Sequence, residues 1–148
     1  MSTTSLDVFD KTLHTTNVWL NEISAKIGPD RHIAWKVLST VLHKLRDHLP
    51  IDLAAHLGAQ LPLLVRGVYY DQFEPAKLPV ESHTAEEFIQ EVQKWLSDTR
   101  TVDAKEAIAA VFGVLTRHVA AGQIDKVRDA LPGGVKKLWR ELEATSSS

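Results

Sequence analysis

Along this chain the apolar positions return at the spacing of helix turns. The densest stretch runs from Val41 to Asp71, VLHKLRDHLPIDLAAHLGAQLPLLVRGVYYD, and it reads as helix, tight turn, helix, tight turn, helix. Leu49-Pro50 and Leu61-Pro62 mark the turns, because proline disfavours the helical conformation in the residue before it yet suits a helix start. Upstream, Phe9, Leu13, Thr16, Leu20, Ile23 and Ile27 form one stripe of a first helix, which Gly28-Pro29-Asp30 stops: Gly28 suits a left-handed cap and Asp30 can accept a backbone N–H of the next helix. The second helix is the strongest. Ile33, Ala34, Val37, Leu38, Val41, Leu42, Leu45 and Leu49 define a wide apolar face that needs a core, and the helix runs to about His48. A third helix spans Ile51 or Asp52 to about Gln60, and a fourth starts at Pro62.

Residues 71–83, DQFEPAKLPVESH, break the period and read as a linker, and residues 1–5 read as a frayed start. Thr84 and Glu87 then form a capping box, with Phe88, Val92, Trp95 and Leu96 behind it. Asp103 and Glu106 repeat the device before Ala107, Ile108, Val111, Val114, Leu115 and Val119, and Gly122 is placed to cap that helix's end. Two more helices follow, near Gln123 to Ala130 and from about Gly134 to Glu143.

Shifting the chain by 70 residues lays Leu61-Pro62 on Leu131-Pro132, Val41 on Val111, Leu45 on Leu115, His48 on His118, Leu57 on Val127 and Tyr69 on Trp139. At an offset of 76, Trp19-Leu20 meets Trp95-Leu96. Such self-similarity indicates one four-helix unit used twice. The expected fold is therefore all-α, an orthogonal bundle of about eight helices: a first half over 6–70, the linker, and a second half over 84–143, packed as one compact domain.

The Val41–Asp71 run, with the earlier WLNEI and AW and the later EEFI and LP, resembles the bacterial domain of unknown function 2267 family. The likeness covers roughly residues 12–142, and AQLP and RGVYY are its most specific pieces. It implies an all-helical bacterial protein and brings no activity with it. The second half carries DALP in place of AQLP and has no RGVYY counterpart, so any role borne by the motif belongs to the first half.

Composition narrows the classes. The chain of 148 residues has no cysteine, which excludes a disulfide scaffold and thiolate metal sites and suits a cytoplasmic location. No window approaches a membrane span, so no membrane is expected. Formal charge is −2 and evenly spread, and the basic residues Lys126, Arg128, Lys136, Lys137 and Arg140 are interleaved with acids, which gives nucleic acid no footprint. Seven histidines raise a metal or haem reading, but their spacing offers no ligand set, and no cofactor is expected. His48 and His118 sit at equivalent last-turn positions and suit the carbonyls of their helix ends.

No catalytic signature is present: there is no nucleophile elbow, no paired carboxylates and no phosphate loop. The candidate ligand-binding set is Arg46, Asp47, Gln60, Arg66, Tyr69 and Tyr70. Arg66 interrupts an apolar helix, so its guanidinium calls for a partner, with Asp47 or Asp52 as the carboxylate and Tyr70 one turn away to stack on or bond to it. Gly67 would admit another backbone, and the four tryptophans would anchor the core. The leading functional expectation is a non-catalytic interaction or regulatory module with a protein partner, as monomer or homodimer. The alternative is a small anionic ligand binder or enzyme that uses the Arg66 neighbourhood.

Overall fold

A computed structural model describes residues 6–78, 80, 84–97 and 102–146. The expected frayed start, part of the linker and the segment around Thr101 lie outside them. Among the described residues there are eight α-helices and no strand: α1 Asp7–Ile27, α2 Arg31–Asp47, α3 Ile51–Gln60, α4 Leu63–Tyr70, α5 Ala85–Leu96, α6 Ala104–His118, α7 Ala121–Ala130 and α8 Gly133–Ser146. A short 3-10 turn, Pro75–Lys77, lies between α4 and α5.

Local chemistry sets the boundaries. Gly28 ends α1 at φ 122°, a backbone open to glycine, though with ψ 161° it is not the left-handed helical cap. Asp30 accepts from the N–H groups of His32 and Ile33, Thr84 from Glu87 and Asp103 from Glu106, as their spacing predicts. The prolines of the Leu-Pro steps stand one place earlier than the first helical turn: Pro50 and Pro62 are extended caps whose carbonyls accept from Ala54 and Arg66. Gly122 lies inside α7, so it does not cap α6; Val119 closes α6 by donating to the Leu115 carbonyl.

Two central helices hold the rest. α2 packs on α1, α4, α5 and α6, while α6 packs on α1, α2, α5, α7 and α8. Every apolar α2 residue from Ala34 to Leu45 on the expected stripe is buried, as are Ala107, Ile108, Val111, Val114 and Leu115 of α6. Between them runs a chain of rings: His48 meets Phe88 edge-on, Phe88 leans on Phe112, and Phe112 stacks on Trp139 at 4.0 Å. The packing is symmetrical in one respect. α1 packs on α6 as α5 packs on α2, α4 on α1 and α2 as α8 on α5 and α6, and the two remaining equivalent pairs, α2 with α6 and α3 with α7, touch each other.

Two apolar stretches depart from expectation. Thr16, Leu20 and Ile23 of the α1 stripe are buried, whereas Phe9 and Leu13 are 47% and 40% exposed. Trp95, expected in the core, is 54% exposed.

Close approach also moves from the expected glycine to another. A Cβ at Gly67 meets nothing within 4 Å, whereas one at Gly58 would collide with the Tyr70 ring, which lies across α3 at that point. Gly67→Ala is therefore expected to raise stability by about 0.5–1 kcal/mol through helix propensity. Gly58→Ala is expected to lower it by about 1–3 kcal/mol through overpacking, and urea unfolding of both variants checks the pair of signs.

Candidate functional site

A helix leaves its last carbonyls without intrahelical partners, and at the two short helices α3 and α4 side chains of neighbouring residues serve them. α2 serves α4. His43 and Arg46, one turn apart, both face it: His43 Nε2 donates to the Val68 carbonyl at 2.6 Å, and Arg46 Nη1 donates to the carbonyls of Tyr69 at 2.6 Å and Asp71 at 2.9 Å. Arg46 is only 2% exposed. Its Nε donates to Asp47 Oδ1 at 2.9 Å and its guanidinium lies 5.1 Å from the Phe73 ring centroid, so charge, hydrogen bonds and an aromatic face together offset its burial.

Arg66 performs the same task for α3. Its Nε donates to the Gly58 carbonyl at 3.0 Å, and its Nη2 to those of Ala59 and Leu61 at 3.2 and 3.0 Å. This corrects the expectation that Arg66 pairs with a carboxylate: Asp47 belongs to Arg46, and Asp52 is exposed in the first turn of α3. Three carbonyls at a helix end supply the negative potential that a carboxylate would have supplied. Tyr70 does not bond to Arg66 either. Its hydroxyl donates to the Ala55 carbonyl at 3.3 Å, and the buried Tyr69 hydroxyl donates to that of Ala54 at 2.7 Å, which stitches α4 along α3. Burial, more than any neighbouring charge, pushes the Tyr69 hydroxyl well above the ordinary tyrosine range, so it stays a neutral donor.

The six predicted residues therefore divide. Arg46 and Asp47 line a groove of about 480 Å³ with His43, Lys44, Gln72 and Trp95. Gln60 and Arg66 line a second, of about 460 Å³, with Lys11, Thr12, Trp19 and His118. Tyr69 and Tyr70 stand between α3 and α4 and line neither. A third groove of about 570 Å³, between α6 and α8, contains Gly113, Thr116, Arg117 and Leu142, the residues 70 places after His43, Arg46, Asp47 and Gln72. Sequence reading missed Lys44, His43, Gln72 and Trp95, since they come from three separate segments.

The connector is tied into the first groove. Phe73 packs against the core, and the Val80 N–H donates to the Asp47 carbonyl at 2.8 Å, which caps α2.

The family comparison bears on this same span. A family described as an uncharacterized conserved protein, DUF2267, matches residues 16–138. The chain belongs to this family. Among curated proteins, none matches it. The DUF2267 span takes in every residue of the Arg46 groove, whereas the part of α1 before Thr16 falls outside it. No helix among the described residues is long and apolar enough to cross a membrane, and no three of His, Asp and Glu gather there as metal ligands.

The two equivalent histidines differ. His48 Nδ1 bonds to the Lys44 carbonyl at 2.6 Å, the expected helix-end role. His118 departs from it: its Nε2 meets Glu22 Oε2 at 2.5 Å beside Arg117, whose Nε meets Oε1, and its ring stacks on Trp19. Burial pushes the Glu22 carboxyl upward, but the bonds from His118 and Arg117 outweigh it and hold the group below the usual carboxylate range. His43 lies below the usual histidine range, chiefly through burial, against which the Val68 carbonyl pulls upward, with the Arg46 charge lowering it further.

Two measurements follow from this geometry. Arg46→Met strands Asp47 and two carbonyls in a buried site, with an expected loss of about 3–5 kcal/mol in urea unfolding. Arg66→Met frees carbonyls that water reaches in part, with an expected loss of about 1–2 kcal/mol. Because His43 resists protonation in the fold, the unfolded chain takes up its proton first as pH falls through about 6.5, and stability drops with it. His43→Gln retains a donor for Val68 and cannot titrate, so its thermal midpoint should fall less than that of the parent between pH 7.5 and pH 5.

Proposed function

We propose that this DUF2267 protein is a non-catalytic interaction module that docks an apolar, acid-bearing segment of a partner protein along the side where α1 meets α4. The observation that carries the reading is a coincidence of surfaces. Six large hydrophobic residues exposed to solvent, Leu6, Val8, Phe9, Leu13, Leu63 and Leu64, occur at the starts of these two helices, and Thr12 Oγ1 joins the helices by accepting from the Leu64 N–H at 3.0 Å. Beside them lies the Gln60–Arg66 groove, whose lining includes Lys11 and Arg66 and no acid. An apolar ridge with a basic edge complements an amphipathic segment that carries carboxylates.

A second reading, a small anionic ligand in the same groove, is favoured by the Trp19 indole N–H, which is buried there with no acceptor among the described residues. The paired helix contacts and the 70-residue offset further support descent from one duplicated four-helix unit, with the docking side peculiar to the first copy because Ala85 and Ile89, which stand where Phe9 and Leu13 do, pack partly buried against the core.

A photoreactive phenylalanine analogue at Leu64, compared with one at exposed Glu86, tests the docking side in cells that express the full chain. The expected result is an adduct at Leu64 alone, mapped to an acidic peptide and lost when Lys11→Glu is added. An equal yield at Glu86, or an adduct indifferent to Lys11→Glu, would overturn the reading; saturable binding of acetate at Arg66 without any adduct would replace it with the small-ligand one.

A further inference from the structure

The Arg46 groove makes a different offer from the docking side. Arg46 uses Nε and Nη1 on Asp47 and two carbonyls, and its Nη2 makes no hydrogen bond among the described residues. A guanidinium nitrogen left over on a side chain this deeply buried, in the wall of a groove, is a donor held ready. Lys44 adds a second. Its ammonium group rests 5.1 Å from the centroid of the Trp95 ring and forms no ion pair among the described residues, so the ring positions the cation without neutralising it.

The acids at this groove are already engaged. Asp47 takes the Arg46 Nε, and Glu74 takes Lys77 at 3.1 Å. At the lip, Gln72 holds φ 61°, the one positive φ of a non-glycine among the described residues, a conformation that costs of order 1 kcal/mol and keeps this residue where glycine would sit more easily. The equivalent groove between α6 and α8 lacks the set. Gly113 and Thr116 stand where His43 and Arg46 do, and Val114 replaces Lys44.

We propose that the groove between α2 and Trp95 binds a small oxyanion, the carboxylate or phosphate of a small molecule, between the Lys44 ammonium and Nη2 of Arg46, with Gln72 at its lip. Two cationic residues of one helix line this groove, one buried and one fixed on an aromatic face, and both can give an oxyanion charge-assisted bonds. The exposed indole of Trp95 reports on the site directly.

The test is a titration of the full chain with inorganic phosphate, and separately with acetate, at ionic strength held constant with sodium chloride, followed by the backbone amide signals of Lys44 and Gln72 and the Trp95 indole signal in nuclear magnetic resonance. Saturable shifts of these three signals with at least one of the anions are expected. Loss of one charged donor in Lys44→Gln should weaken that binding about tenfold, while Lys137→Gln on the exposed face of α8 leaves it unchanged; thermal unfolding verifies that both variants fold. Shifts that stay linear for both anions, or that survive Lys44→Gln undiminished, would overturn the assignment.

Discussion

Short helices let a chain turn sharply, and each turn leaves polar backbone ends to be satisfied. In this protein those ends govern the first four helices. α3 and α4 have 10 and 8 residues, too few to persist alone, and they are joined through prolines that bring no donor to the turn. What stabilises them is a relay of side chains that bond to carbonyls: His43 and Arg46 from α2 close α4, Arg66 from α4 closes α3, and the two tyrosines of α4 lie against α3. Each helix is thus finished by its neighbour. The order of dependence starts at α2, whose apolar face is fixed by α6, so burial in the centre positions the guanidinium that finishes the periphery.

The last four helices gather polar side chains around the opposite charge. Where the first four use a buried cation, here Glu143 collects Arg128 at 2.7 and 2.9 Å, the Trp139 indole N–H at 2.9 Å and the Thr116 hydroxyl at 3.3 Å. A shared arrangement of helices therefore presents two grooves of unlike electrostatic character. Geometry can repeat while chemistry diverges, since packing constrains the apolar stripes and leaves the polar end groups free to vary.

How far the sequence disclosed this depends on whether the responsible partner is a side chain. α2 and α6 were legible because their apolar residues carry the helical period, and the caps at Asp30, Thr84 and Asp103 because donor and acceptor lie within one turn. Arg66 shows its need for a partner by interrupting an apolar helix, but composition points to a carboxylate as that partner. Backbone carbonyls belong to every residue, so a site made of them has no compositional mark. Arg46 was half visible: Arg46-Asp47 before a Leu-Pro step resembles an ordinary basic last turn, and only the fold brings Tyr69 and Asp71 to it. Trp95 misled for the converse reason. Its position belongs to the buried stripe of α5 by periodicity, but the neighbouring surface there is a groove and a lysine rather than a helix.

The pairing of α1 with α6 and of α2 with α5 has a consequence for synthesis on the ribosome. The apolar face of α2 finds its lasting cover only when residues up to His118 have been made, 48 positions after α4 is complete at Tyr70. At the usual elongation speed that interval is roughly 3–10 s, during which the nascent chain shows its stickiest surface to solvent. Arg46 and Lys44 lie in that same segment, and their charges give the waiting helix a degree of mutual repulsion between neighbouring chains until its partner helices arrive.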